Sequence, residues 1–165
     1  MLTESNNEQL NLAFTHLLEP VMDFVLTKYV HFISIFSLVS LLVVQHLMLK
    51  PIMSVTELNK LAKVDMFYGA SAGLILITGL ILWFSVGKNA EFYTSNPVFH
   101  VKVSLFVLVG LLSVYPSLFF AQKRTDGNAQ VTVPKRIILI VRTELLFACL
   151  LPLLAVLMAN GYGLQ

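Results

Sequence analysis

Charged residues and cysteine are scarce in this sequence. Of its 165 residues 12% are charged, against the roughly 25% that is usual in soluble domains. The one cysteine, Cys149, cannot form an intrachain disulfide or a zinc site built from paired cysteines. The net charge of +2 is small for a nucleic-acid-binding surface. We therefore expect neither a disulfide-stabilised domain nor a nucleic-acid partner.

The motifs of several soluble enzyme classes are also missing. There is no H-E-x-x-H, no glycine-rich phosphate loop and no G-x-S-x-G, so the sequence assigns no catalytic residue. The N-terminal segment 1–9 is polar, contains Glu4 and Glu8 and has no basic residue. Because a secretory signal peptide begins with basic residues, we do not expect this segment to be one.

Long apolar runs dominate what is present. The composition is 57% hydrophobic with a mean hydropathy of +0.81, and a helix of about 20 apolar residues crosses the roughly 30 Å core of a bilayer. The sequence predicts an all-α fold, in which one integral membrane domain over residues 1–165 forms a four-helix bundle. The predicted spans are 30–49, 66–86, 101–121 and 137–158.

Two shorter patterns flank the spans. Segment 10–19 has apolar residues at helical spacing and is followed by Pro20, which predicts a short amphipathic helix at the membrane interface. The alternative for this segment is a frayed tail. The order Ser54-Val55-Thr56-Glu57 has the form of a capping box, which predicts that the second helix begins early, within the loop that precedes its span.

Basic residues predict the orientation of the bundle. The loops after the first and third spans hold seven positive charges, whereas the opposite side holds Lys28 and Lys88. Because Lys and Arg favour the cytoplasmic side of a membrane, both termini are predicted to face outward. The seven basic residues are Lys50, Lys60, Lys63, Lys123, Arg124, Lys135 and Arg136.

Ionisable side chains within the spans are the candidates for function, because the bilayer makes them costly and they usually mark a site. His31 lies near the outer end of the first helix, and His46 lies about 22 Å below it at 1.5 Å per residue. The two histidines therefore mark two depths in the membrane, an outer layer and an inner layer. The other candidates are His100 and Lys102 at the outer end of the third helix, and Arg142 and Glu144 in the inner half of the fourth.

Helical geometry leaves two of these pairs undecided. At about 100° per residue, His100 and Lys102 are about 200° apart, and the same angle separates Arg142 from Glu144. At most one member of each pair faces the bundle centre. For His100, Lys102 and Arg142 the alternative is a place at the membrane interface, where long basic side chains snorkel to the headgroups. A carboxylate as deep as Glu144 needs a partner or a proton.

Haem is the cofactor whose chemistry suits these side chains. Imidazole is a common axial ligand of haem iron, and apolar helices can hold a porphyrin between them. Basic side chains near the membrane surface can bind its propionates through charge-assisted hydrogen bonds. His31 is the ligand we favour, and His46 is interpreted as a packing or surface residue.

Three short segments share the residue pattern of a known family. The sequence reads Lys28-Tyr29-Val30-His31-Phe32-Ile33-Ser34 in the first helix, Phe99-His100-Val101-Lys102-Val103-Ser104-Leu105 in the third and Thr143-Glu144 in the fourth. These resemble, in order, the K-x-x-H-I-I-S, L-H-x-K-L-x-L and Asn-Glu of HemJ-type protoporphyrinogen oxidases, which are small haem-b-binding bacterial membrane proteins. The resemblance covers residues 28–158.

The resemblance implies a bacterial inner membrane, in which the outward termini predicted from the basic residues face the periplasm. It also implies a haem b cofactor and an oxidoreductase linked to a porphyrin or a quinone. His31 is then a metal ligand, and Lys102 is either the second ligand or a propionate contact. His100, Arg142 and Glu144 are further candidate cofactor contacts. Besides the lipid bilayer, a homo-oligomer and a larger membrane complex are both open as partners.

The chain also departs from the HemJ pattern. His46-Leu47 stands where that family has Pro-Arg, Lys63 and Asp65 stand where it has a run of arginines, and Tyr115-Pro116 replaces a tyrosine-histidine pair. We therefore expect a HemJ-related family of predicted bacterial membrane proteins that shares the fold, with catalytic activity left open. The alternative function is a cofactor-free membrane subunit or scaffold of a larger complex.

Overall fold

The computed structural model describes residues 2–124 and 130–163, with side chains from Leu18 onward. Four helical segments within this range are long and apolar enough to cross a membrane, and each overlaps one predicted span. The predicted all-α membrane bundle is thereby confirmed. The elements in order are α1 (Leu2–Met48), β1 (Ile52–Ser54), α2 (Val55–Phe84), α3 (Ala90–Thr94), α4 (Pro97–Lys123), β2 (Gln130–Thr132) and α5 (Lys135–Ala159).

The second helix begins well before its predicted span. The Ser54 hydroxyl accepts a hydrogen bond from the Glu57 N–H at 3.2 Å, and the Glu57 carboxylate accepts one from the Ser54 N–H at 2.9 Å. These reciprocal bonds satisfy backbone donors that a helix start leaves unpaired. The predicted capping box is confirmed, and α2 starts at Val55 rather than at 66.

The N-terminal segment is part of the first helix. Segment 10–19, predicted as a separate short helix, is helical but continuous with the first span, and Pro20 lies inside α1. A proline removes one backbone hydrogen bond, and here the residues on both sides continue the helix. The 47 residues of α1 extend about 70 Å at 1.5 Å per residue. Part of α1 therefore lies outside a hydrocarbon core of roughly 30 Å.

The four long helices form a closed ring. Helix α1 packs against α2 and α5, and α4 packs against the same two helices, so that α1 and α4 are diagonal neighbours. Strands β1 and β2 pair antiparallel, with Met53 opposite Val131, and thereby join the two basic loops at one end of the bundle. We call this the inner end, following the predicted orientation.

The opposite, outer end is closed by the loop before α4 and the C-terminal segment. The Asn96 side chain accepts the Val98 N–H at 2.9 Å and donates to the Tyr162 carbonyl at 3.2 Å. Gly163 has a φ of +88°, and a Cβ there would meet the Asn96 side-chain oxygen at 2.5 Å. This contact needs a residue without a side chain.

Two apolar clusters hold the helices together. The first, at the inner end, packs Met53 and Val131 of the strands against Leu58, Phe120 and Ile137. The second, nearer the bundle centre, is formed by residues from α1, α2 and α5: Leu38, Leu42, Tyr68, Ile75, Val141 and Ala148. Residues of different helices therefore meet at both clusters.

Candidate functional site

The structure shows which member of each undecided pair faces the bundle interior. The pairs are His100 with Lys102 and Arg142 with Glu144. Glu144 is 1% exposed and Lys102 is half-buried, whereas His100 and Arg142 are exposed. His100 Nε2 donates to the Thr94 carbonyl at 2.7 Å and so caps the short helix α3. Lys102 and Glu144 are therefore the members of each pair that face the interior.

The His31 imidazole is oriented by Thr78 on α2. Its Nδ1 lies 2.8 Å from the Thr78 Oγ1. The Thr78 hydroxyl donates its hydrogen to the Leu74 carbonyl at 2.5 Å, so Thr78 must accept from His31, and Nδ1 carries the proton. This tautomer leaves the lone pair on Nε2, the nitrogen that remains available to a metal.

Two further residues of α2 lie on the side that faces His31. A Cβ at Gly79 would lie 3.4 Å from His31 Cε1, so the imidazole packs directly against the glycine. Trp83 follows one helical turn later on the same face, and its Nε1 is buried with no hydrogen-bond partner in the part of the chain that the structure describes. An unpaired buried donor costs about 1–3 kcal/mol, which a ligand oxygen would relieve.

Lys102 approaches this region from α4, diagonally across the bundle. Its Nζ lies 5.7 Å from the Phe99 ring centroid, and Phe99 packs edge-on against Trp83 with 4.7 Å between centroids. Lys102 is also close enough to His31 for their charges to interact. We call this set the outer cluster, and it consists of His31, Thr78, Gly79, Trp83, Phe99 and Lys102.

A second polar set, the inner cluster, joins all four long helices. It lies about 21 Å from the outer cluster, which is the rise of α1 from His31 to Gln45. Gln45 Nε2 donates to Asp65 Oδ1 at 2.8 Å, and Ser117 Oγ donates to the same oxygen at 3.0 Å. Tyr68 lies beside Ser113 and Glu144, and Glu144 also lies near Asp65. Its members are Gln45, Asp65, Tyr68, Ser113, Ser117 and Glu144.

The structure thus brings His31 and Lys102 to one region and places the other three predicted contacts elsewhere. His100 and Arg142 have exposed side chains, and Glu144 belongs to the inner cluster. Within residues 2–124 and 130–163, no three His, Cys, Asp or Glu side chains are close enough together to hold a metal ion. Haem iron is a different case, because the porphyrin supplies most of its ligands and the protein supplies only the axial ones.

Sequence reasoning missed the partners of these residues. Asp65 fell outside the predicted span that begins at 66, although the capping box at Ser54 already indicates an earlier helix start. Nothing in the sequence marked Thr78 and Gly79 as site residues, because small and hydroxyl residues are frequent wherever membrane helices pack. The bond from Gln45 to Asp65 depends on how α1 and α2 are rotated toward each other, which the sequence does not provide.

The fold and the two polar clusters define a small integral membrane protein whose outward side chains contact lipid. The chain belongs to the family described as Predicted membrane protein (DUF2214), which its sequence matches over residues 24–163. No curated protein and no solved structure matches it. The expected family of predicted membrane proteins is confirmed, while the resemblance to HemJ rests on the three sequence segments alone.

Proposed function

We propose that this protein binds haem b in the outer half of the bundle, with His31 as an axial ligand. The observation that carries the proposal is the orientation of His31, whose Nδ1–H is held by Thr78 at 2.8 Å while Nε2 keeps its lone pair. Histidines that bind metals commonly donate their other ring N–H to a fixed acceptor, which sets the tautomer and the ring orientation.

The rest of the outer cluster fits such a group. Trp83 has a buried N–H with no hydrogen-bond partner among the described residues, and a propionate oxygen is a suitable acceptor for it. The Lys102 ammonium can bind a propionate through a charge-assisted hydrogen bond, and in neutral form its amine is the alternative second ligand. His100, Arg142 and Glu144 stay predictions as cofactor contacts, and their positions favour Lys102 over all three.

The proposed location is a bacterial inner membrane with periplasmic termini, so that the outer cluster lies toward the periplasm. Bound haem supplies one-electron redox chemistry. Together with the resemblance to HemJ-type proteins, this favours an oxidoreductase that acts on a porphyrin or a quinone. The chain's own contribution is to orient His31, to place a cation at Lys102 and to exclude water with apolar helices.

The test is the absorption spectrum of the purified full-length protein. We expect a Soret band and, after reduction, α and β bands. The variant His31→Ala should lose most of the haem, because the iron loses its strongest donor. His46→Ala is the matched control, and it should keep the haem because His46 lies about 22 Å away along α1.

Two outcomes would contradict the proposal. A His31→Ala protein with full haem content and an unchanged spectrum would show that His31 is not the axial ligand. A wild-type protein that remains colourless after expression with sufficient haem would favour the alternative, a cofactor-free subunit or scaffold of a larger membrane complex.

A further inference from the structure

A groove on the outward surface of the bundle follows the seam between α2 and α4. Its inner part is a cavity of about 320 Å³, lined by Asp65 and Ser117 together with the small or apolar residues Ala62, Met66, Leu118 and Ala121. Met66 and Leu118 are more than half exposed, at 61% and 54%, and belong to the surface that contacts lipid. The groove therefore opens to the hydrocarbon of the bilayer.

Three glycines extend this groove toward the middle of the bilayer. On α2, Gly69 and Gly73 lie about 40° and 80° around the helix from Asp65, on the side of the cavity. On α4, Gly110 lies about 20° from Ser117. A Cβ at any of the three glycines would meet nothing within 4 Å, so the described chain leaves this space empty. The open seam reaches about 12 Å from Asp65 to Gly73 at 1.5 Å per residue.

Asp65 is the hydrogen-bond acceptor of the groove. Its Oδ1 accepts from Gln45 Nε2 at 2.8 Å and from Ser117 Oγ at 3.0 Å. Its Oδ2 has no hydrogen-bond or ion-pair partner among the described residues. The chain does not enclose this oxygen, so it is reachable from the cavity that Asp65 lines. Hydrocarbon offers no donor to a polar group, and an ionisable side chain at such a place usually marks a binding site.

The depth of Asp65 argues against a phospholipid as the missing donor. Arg124 also lines the cavity, but it follows Ser117 on α4 and lies about 11 Å closer to the inner end. A phospholipid with its phosphate at Arg124 would place acyl carbons, which have no N–H or O–H, beside Asp65. The occupant must instead combine a hydroxyl donor at the depth of Asp65 with an apolar remainder in the bilayer.

The walls of the groove favour a flat head group with a tail. On α2 the residues one turn before and one turn after Asp65 on the cavity side are Ala62 and Gly69, and Ala121 lies on the opposite wall. A volume of about 320 Å³ is at the lower end of the range for small-molecule sites and suits one substituted ring. The space beside Gly73 and beyond is left for a hydrocarbon chain.

We propose that the groove between α2 and α4 binds a hydroquinone with an apolar tail, and that one phenolic hydroxyl donates to Asp65 Oδ2. The ring occupies the cavity, and the tail follows Gly69, Gly73 and Gly110 toward the bundle middle. As a redox partner of the protein, the hydroquinone rests on the proposed function. As a binding site, the groove uses no residue of the outer cluster.

Asp65→Asn tests the contact by reversing one hydrogen bond. Asparagine keeps an oxygen that can accept from Gln45 and Ser117, and it replaces the free carboxylate oxygen with an NH₂ group, which donates. By calorimetric titration of the full-length protein in detergent, we expect the wild type to prefer a decyl hydroquinone, kept reduced, over the corresponding quinone, whose carbonyls only accept. In Asp65→Asn the hydroquinone should bind about tenfold more weakly, and the preference should move toward the quinone.

Gly69→Leu tests the position of the site independently of the carboxyl group. The new side chain should fill the groove without a clash, because a Cβ at Gly69 meets nothing within 4 Å, and it should abolish hydroquinone binding. Ala70→Leu adds the same side chain at the next, exposed position, about 100° around the helix, and should leave binding intact. His31→Ala should also bind the hydroquinone, so a failure of haem binding and a failure of this site are separate results.

Three outcomes would overturn the proposal. A wild-type protein that binds neither the hydroquinone nor the quinone saturably has no such site. Equal hydroquinone binding by the wild type, Asp65→Asn and Gly69→Leu would place the ligand elsewhere. A wild-type dimer that becomes monomeric in Gly69→Leu, and not in Ala70→Leu, would show that a second copy of the chain covers the groove instead.

Discussion

The two histidines of α1 differ in whether a neighbouring side chain fixes the orientation of the imidazole ring. His31 has a fixed acceptor in Thr78, and so a fixed tautomer and ring orientation. Among the described residues, His46 has a buried Nδ1 with no hydrogen-bond partner. A binding site needs its side chains locked by their surroundings. This difference supports His31 over His46 more strongly than their positions in the sequence do.

Lys102 has two possible roles in the haem proposal, as the second iron ligand or as a propionate contact, and the substitution Lys102→Arg distinguishes them. If its neutral amine ligates iron, Lys102→Arg must fail, because arginine keeps its proton at ordinary pH. If its cation binds a propionate, arginine can replace it. We expect Lys102→Arg to shift the haem spectrum or lose most of the haem, as measured by absorption and haem content.

His100→Ala is the control for that substitution. His100 is exposed and bonded to the Thr94 carbonyl, so its loss should change the spectrum less than Lys102→Arg does. A Lys102→Arg protein with the wild-type spectrum and haem content would exclude Lys102 as an iron ligand and leave it as a charge partner.

At the scale of helices and strands, the sequence predicts the elements whose formation depends on local composition. Each long apolar run became a helix, and the Ser54–Glu57 capping box set the start of α2. The short helix Ala90–Thr94 and the pairing of Ile52–Ser54 with Gln130–Thr132 were not predicted. Three-residue strands have no detectable period, and their pairing depends on two loops that meet only after the bundle has formed.

The capping box itself is open to measurement. Ser54→Ala removes the hydroxyl that accepts the Glu57 N–H at 3.2 Å, and losing such a cap costs about 1 kcal/mol. We expect faster amide hydrogen exchange in the first turn of α2 and a lower thermal midpoint in detergent. Thr56→Ala removes a hydroxyl from the same turn at an exposed position and should change both much less. Equal effects of the two substitutions would show that the cap does not set the helix start.

At the scale of the whole molecule, the order of the helices around the ring determines what the polar residues can do. Because α1 and α4 are diagonal, His31 and Lys102 face each other across the outer half instead of packing side by side. Helices α2 and α5 are the other diagonal pair, so Asp65 and Glu144 approach the same inner region from opposite sides of the ring. Neither meeting could be predicted, since helix order and rotation arise from packing that composition does not encode.

The outward surface of the bundle requires lipid. Large apolar side chains such as Phe36, Leu111, Leu139 and Leu146 are each more than half exposed, at 61% to 67%. In water such a continuous apolar surface would drive association, and in a bilayer it is the expected exterior. The described residues contain four helices long and apolar enough to cross a membrane, which agrees with the predicted number of spans, and the ends of each span stay a prediction.

The orientation of the molecule is the remaining prediction, and it rests on the basic loops that β1 and β2 join at one end. Positive charge near a span favours the cytoplasmic side. In a Cys149→Ala background, a cysteine at Gln130 should therefore resist an impermeant thiol reagent in intact cells, and one at Asn89 should be labelled. Both positions are exposed, so burial cannot account for a difference, and permeabilised cells should label both. Labelling of Gln130→Cys with protection of Asn89→Cys would show the opposite orientation, with the inner cluster, and not the outer cluster, toward the periplasm.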